Sequence, residues 1–264
     1  MPPSLDRVNT DTQTPASLSI RGLSKRFGQK IAADNVHLDV PAGSMFGLLG
    51  PNGAGKTTTL TMVTGLLRPD SGTASVLGND VWADPVGAKA RMGVLPEPEQ
   101  MFTRLTGQEL LRYTGLLRGM PADDVVSRTD ELLHALSMTD AANKLVVDYS
   151  SGMKKKIGLA SALIHAPRLL ILDEPFESVD PVSGETIRSI LRSYVAGGGT
   201  VVLSSHVMEL VENLCDHVAI MAEGSVLAAG TLDQVRAGQS LQQRFLGLVG
   251  VHQLGEESLS WLRS

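Results

Sequence analysis

Apolar and polar residues follow two rhythms along the chain. Short runs of strand-like apolar character recur at positions 18–23, 36–40, 45–49, 92–95, 169–172, 200–204 and 217–221. Between most of them, apolar residues return every three or four positions instead. The runs predict strands and the intervening pattern predicts helices. Seven strands separated by helices argue for an α/β architecture around a largely buried sheet.

The rhythm changes in two places. Between residues 106 and 145, "GQELLRYTGLLRGM" and "ADDVVSRTDELLHALSM" carry apolar residues at helical spacing and no strand signal. This predicts a helical subdomain, over residues 102–150, inserted into the α/β core. Towards the end, "HVAIMAEGSVLAAG" reads as two strands joined at Glu223-Gly224, and "SLQQRFLGLVG" as a last amphipathic helix. The opening "MPPSLDRVNTDTQTPAS" is rich in Pro, Ser, Thr and Asp and reads as a mobile arm. The expected organisation is an arm over 1–17, a folded unit over 18–250 and a tail over 251–264, without internal repeats.

Composition narrows the classes of function. With 42% hydrophobic residues in 264, the chain can bury a substantial core. Its 23 basic and 28 acidic residues give a net charge of −5, which lacks the cationic excess of a nucleic-acid binder. We therefore expect no nucleic-acid partner. No apolar segment reaches the length of a membrane span, and the N-terminus lacks the apolar core of a signal peptide, so a cytoplasmic protein is expected. The single cysteine, Cys215, excludes an internal disulfide and fits a reducing compartment.

Chemistry concentrates first in "GPNGAGKT", which follows the apolar strand "MFGLL" and precedes the helical "TTTLTMVTGLL". Glycines at Gly50, Gly53 and Gly55 let backbone N–H groups turn inward around phosphate oxygens. Lys56 adds a point charge, and Thr57 adds an oxygen suited to magnesium. A second candidate is "LLILDEP", an apolar strand that delivers Asp173 and Glu174 to its end. There Asp173 can hold magnesium through water and Glu174 can polarise an attacking water.

Four further short motifs extend this pair. "VLPEPE" and "YSSGM" fall between the two, while "SVDP" and "LSSH" follow "LLILDEP". In that order the six motifs resemble those of the ATP-binding subunit of an ABC transporter, from about residue 18 to about 250. The resemblance implies a P-loop NTPase core of RecA-like type, with an antiparallel β subdomain and the inserted helical subdomain. It implies Mg-dependent ATP hydrolysis by two subunits packed head to tail, with ATP between the phosphate loop of one and the signature of the other. The cofactors implied are ATP and Mg2+. The partners implied are a second ATP-binding subunit, identical or closely related, and a separate transmembrane permease that holds the protein at the cytoplasmic face of the cell membrane.

The resemblance also implies roles position by position. The loop of Gly50, Pro51, Asn52, Gly53, Ala54 and Gly55, with Lys56, Thr57 and Thr58, contacts the phosphates. Thr57 and Asp173 hold magnesium, Glu174 is the general base, and His206 binds the γ-phosphate. Phe27 stacks on adenine; the residue alone fits a core-packed strand end equally well. Asp180 contacts the opposite subunit, and it is also suited to cap a helix ahead of Pro181. Ser150 and Gly152 face the γ-phosphate held by the other subunit.

The sequence departs from the family pattern at several positions. Glu97 stands where glutamine is usual and brings a full charge, so it either ligates magnesium more strongly or points towards the partner. Glu99 and Gln100 leave the register of that loop open. "LPE" at this place resembles exporter-type subunits for drugs, antibiotics and membrane-anchored cargo. The signature carries Tyr149 for leucine, Ser151 for glycine and Met153 for glutamine, and "ESVDP" replaces the usual glycine-leucine before Asp180. Lys154, Lys155 and Lys156 oppose the dipole of the helix they open, so most of them are expected in solvent and none is assigned as a ligand. An alternative class is a soluble ABC ATPase acting on nucleic acid or ribosomes. A P-loop kinase or GTPase does not explain "YSSGM", "SVDP" and His206 together.

Overall fold

A computed structural model describes residues 16–97 and 100–250; the first 15 residues, Pro98, Glu99 and the expected tail over 251–264 lie outside the described residues. In chain order the elements are β1 (Ala16–Phe27), β2 (Lys30–Pro41), β3 (Met45–Leu49), α1 (Lys56–Val63), β4 (Ser71–Val76), β5 (Asn79–Asp80), α2 (Pro85–Arg91) and β6 (Met92–Val94). They continue as α3 (Gly107–Leu117), α4 (Ala122–Ala135), α5 (Ser151–Leu163), β7 (Leu169–Leu172), α6 (Pro181–Ala196) and β8 (Thr200–Ser205). The last are α7 (Met208–Leu214), β9 (His217–Ala222), β10 (Ser225–Thr231), α8 (Leu232–Arg236) and α9 (Leu241–Val249). No helix among the described residues is long and apolar enough to cross a membrane.

Two sheets organise the chain. The larger has the order β10-β9-β3-β8-β7-β6, parallel except for its antiparallel β10 edge. Its parallel strands read as near-continuous apolar runs because both faces are covered, whereas β10 at the edge buries no residue. Side-chain alternation then divides them between two cores. Phe46, Leu48, Leu169, Ile171, Val202, Ala219 and Met221 face the smaller antiparallel sheet, β2-β1-β4-β5, and helix α1. Met45, Leu49, Leu170, Leu172, Val201, Leu203, Val218 and Ile220 face the opposite helical layer. Each fully buried Leu, Ile or Phe contributes about 1.5–3 kcal/mol, so the parallel strands anchor both layers.

The predicted α/β class with an antiparallel β subdomain and a helical insertion is the fold observed. All seven predicted strands are present, and Glu223-Gly224 forms the β9–β10 turn with positive φ at both residues, 49° and 81°. β4 and β5 are additional. "SGTASV" buries only Ala74 and Val76, and two polar residues form β5, so neither carries a readable run. β1 starts at Ala16, two residues before the expected Leu18, with Ser17 buried and bonded through its hydroxyl to Thr200 Oγ1 at 2.9 Å.

The helical insertion is built on a capping box. Thr106 accepts from Glu109 N while the Glu109 carboxylate accepts from Thr106 N and Oγ1. Tyr149, in place of the family leucine, is buried; its hydroxyl donates to Ala141 O at 2.7 Å and closes on Gly107, where a Cβ would meet the hydroxyl at 2.2 Å. This one substitution thereby ties the signature to the start of α3.

Where α5 runs out towards β7, His165 bonds through Nε2 to Met92 O at 3.0 Å, and its Nδ1 is buried without a partner. Burial, with Arg118 and Arg128 adding like charge, pulls the imidazole from 6.5 down to about 4. The unfolded chain binds that proton more readily, so this group costs stability progressively as pH falls from about 6.5 to about 4. We predict that His165→Gln flattens this part of the stability profile, measured by urea unfolding across that pH range.

Candidate functional site

The site starts where β3 ends. Residues 50–55 loop from Leu49 into α1, whose N-cap Gly55 sits at φ 100° with no side-chain cap on the first amides. These amides and the positive end of the helix dipole suit an anion. The loop is held by close backbone approaches that only glycine permits. A Cβ at Gly55 would meet Ala32 O at 2.2 Å, and one at Gly50 would meet Met221 O at 2.5 Å. Gly224 N donates to Ala54 O at 3.0 Å, fastening the loop to the β9–β10 turn.

β7 and β8 bring the remaining groups to the same edge of the sheet. Glu174 directly follows Asp173 at the end of β7, and His206 follows β8. Glu174 Oε1 lies 3.1 Å from His206 Nδ1 and 3.5 Å from Lys56 Nζ. Lys56 is buried and donates to the carbonyls of Gly50 at 2.7 Å and Pro51 at 3.3 Å. A lysine curled onto its own loop, beside a carboxylate and an imidazole, is poised to exchange carbonyl partners for phosphate oxygens. The pocket, of about 360 Å³, is lined by Asn52, Gly53, Ala54, Gly55, Lys56, Thr57, Thr58, Glu174 and His206, together with Lys30, Ala32 and Glu177. A larger pocket of about 660 Å³, around Arg21, His37 and His217, has no glycine loop and no strand-end carboxylate pair.

Other expected residues stand outside this lining. Phe27 is 51% exposed, with the Lys25 ammonium 5.8 Å from its ring centroid, so the core-packed reading fails. It pairs across the hairpin with Lys30, which does line the pocket. Glu97 is exposed, with its carbonyl accepting from Gln100 N at 2.9 Å. Glu99, which bears on the register of that loop, lies outside the described residues. Ser150 caps α5 by accepting from Met153 N. Gly152 meets Asp180 instead of the pocket: a Cβ there would lie 2.8 Å from Asp180 Oδ2. Asp180 caps α6 by accepting from Val182 N and Ser183 N, and these bonds, led by Ser183, hold its carboxyl below the ordinary aspartate range.

Two residues of this region carry no expected role from the sequence. Ser204 is fully buried; its hydroxyl donates to Asp173 Oδ1 and accepts from Glu174 N at 2.9 Å. It is the first serine of the quoted "LSSH" and was masked by the histidine two positions on. Lys155 donates to Glu174 O at 2.9 Å. Lys156 is buried as well, which corrects the expectation that most of the three lysines face solvent. The start of α5 lies against the segment after β7, where Lys155 reaches Glu174 O and Gly152 closes on Asp180 and Ser183, and long aliphatic stems let lysines bury in such a place.

A family model described as ABC transporter matches residues 33–177. The daunorubicin/doxorubicin resistance ATP-binding protein of Streptomyces peucetius is 37% identical, covering 86% of this chain and 69% of that protein. The Nod factor export ATP-binding protein I of Burkholderia lata is 39% identical, covering 81% of this chain and 71% of that protein. A solved ATP-binding subunit of an ABC transporter superposes with a TM-score of 0.81 at 30% identity, covering 88% of this chain and 98% of the other.

The Ser204 bridge yields a direct test. Ser204→Ala leaves a strand-end carboxylate and a backbone amide without their shared partner, and we expect a loss of about 1–3 kcal/mol in urea unfolding.

Proposed function

This chain belongs to the ABC transporter family as an ATP-binding, ATP-hydrolysing subunit, and on that premise we propose that it works as a head-to-tail dimer around two ATP and drives a separate membrane permease in export. One observation carries the proposal. The phosphate loop, Glu174 and His206 share a pocket, whereas Ser150 and Gly152 lie at the N-terminus of α5 beside Asp180, outside its lining. The two contacts expected from the signature thus stand apart from the pocket, and the α5 terminus is suited to the γ-phosphate of a second copy's ATP.

Within this reading Lys56 and backbone amides along residues 52–58 hold the phosphates. Glu174 takes a proton from the attacking water, His206 orients the γ-phosphate, and Phe27 offers an exposed ring to adenine. Phosphoryl transfer depends chiefly on such alignment and charge stabilisation. The oxygens of Thr57 and Asp173 fit a hard cation and would hold a magnesium ion, which would supply charge neutralisation for the phosphates there. Asp180 reaches the opposite subunit from its capping position.

The permease surface is argued from side chains left in solvent on the helical insertion. Phe102, Tyr113, Leu116 and Leu117 are exposed, and Phe102 and Tyr113 form an edge-to-face pair with centroids 5.2 Å apart. Such a patch on a charged protein suits a protein partner. It lies near in sequence to Glu97, and we assign that loop to the same contact. The direction of transport follows the names of the similar proteins, a resistance ATP-binding protein and an export ATP-binding protein.

Three measurements test the proposal. Lys56→Ala should abolish Mg-dependent ATP hydrolysis. Glu174→Gln should still bind ATP, hydrolyse it at least about 100-fold more slowly, and accumulate as a dimer on gel filtration with ATP; a normal rate in this variant refutes the base. Glu97→Gln should leave basal hydrolysis intact while altering its stimulation by the co-purified permease; equal stimulation would assign the carboxylate no special part.

A further inference from the structure

We propose that Lys155 is a positioning residue that fixes the backbone of Glu174, and through it the carboxylate, relative to the N-terminus of α5. The proposal rests on the reading of Glu174 as general base given above. Glu174 has φ 41°, in the left-handed region that an L side chain seldom adopts. A residue in that region persists only where its surroundings fix it. Three bonds do so here: Ser204 Oγ accepts from Glu174 N at 2.9 Å, Lys155 Nζ donates to Glu174 O at 2.9 Å, and Glu177 N donates to the same carbonyl at 3.2 Å from within the turn. The first comes from the sheet, through β8. The second comes from α5, one turn below Ser150.

The second bond makes the position of the base depend on that of the signature helix. The same end of α5 meets the next loop a second time, where Gly152 closes on Asp180 and Ser183. A shift of α5 on docking against another copy's nucleotide is therefore passed directly to Glu174 O. From there it reaches a carboxylate that already contacts His206 and Lys56. Lys155 is chemically suited to this task. Its ammonium donates to a carbonyl with charge assistance, on a stem long enough to span from a helix to a neighbouring loop.

The test uses the full chain with Mg and ATP, and compares Lys155→Met, Lys155→Arg and, as a control of equal charge change, Lys154→Met. We expect Lys155→Met to lower kcat by between about 10- and 100-fold, the scale of a small misplacement of a catalytic group. The ATP dissociation constant should stay unchanged. Lys155→Arg should restore most of the rate, and Lys154→Met should match the wild type. Acting through the base, Lys155→Met should add no further loss in a Glu174→Gln background, measured by single turnover. Should Lys155→Met fail to fold, Lys155→Gln, one atom shorter in reach, replaces it with the same outcomes required. A Lys155→Met rate equal to wild type overturns the proposal. So does an equal fold-loss in the Glu174→Gln background, which would mean a structural role for Lys155 in α5. Failure of the underlying reading of the base looks different: Glu174→Gln itself would turn over ATP at the wild-type rate.

Discussion

With apolar side chains covering both faces of the six-stranded sheet, polar groups on its strands can meet water only at the strand ends. β3, β7 and β8 run parallel, so their C-terminal ends open on one edge. The glycine loop, the Asp173–Glu174 pair and His206 each follow one of these three strands. Their convergence is a consequence of parallel register rather than of any attraction among them. Burying the sheet and assembling the site are the same act, and what destabilises the two cores moves the catalytic edge.

Electrostatics refine what the sheet assembles. Glu174 is flanked by Lys56 and His206, and Lys56 spends its donors on the carbonyls of the loop that it also serves. A triphosphate would enter a pocket whose cation and amides are already oriented, so little reorganisation is asked of the protein on binding. The strained backbone of Glu174 costs about 1–2 kcal/mol. Ser204 and Lys155 hold it from opposite sides.

Legibility in the sequence followed the physical range of each signal. The strands β3 and β7 were plain because burial on both faces removes every polar interruption. β4 and β5 were not, because an edge ribbon buries two small apolar residues and leaves the rest in solvent. Residues 52–58, Glu174 and His206 line one pocket, since short motifs at strand ends carry their own geometry. Lys155 and Ser204 were missed for the opposite reason. Their partners lie 19 and 30 residues away from them, and no local pattern records such a contact.

The amino-acid order alone determined the α/β class, the helical insertion, the phosphate loop and the family, because each depends on periodicity or on motifs a few residues long. Only the tertiary structure decided that Phe27 is exposed, that Tyr149 plugs the start of α3, and that the lysine run after the signature reaches inward. These outcomes turn on how α5 and the β1–β2 hairpin pack against distant strands. The free energy of such packing belongs to pairs of residues that the chain brings together only when it folds.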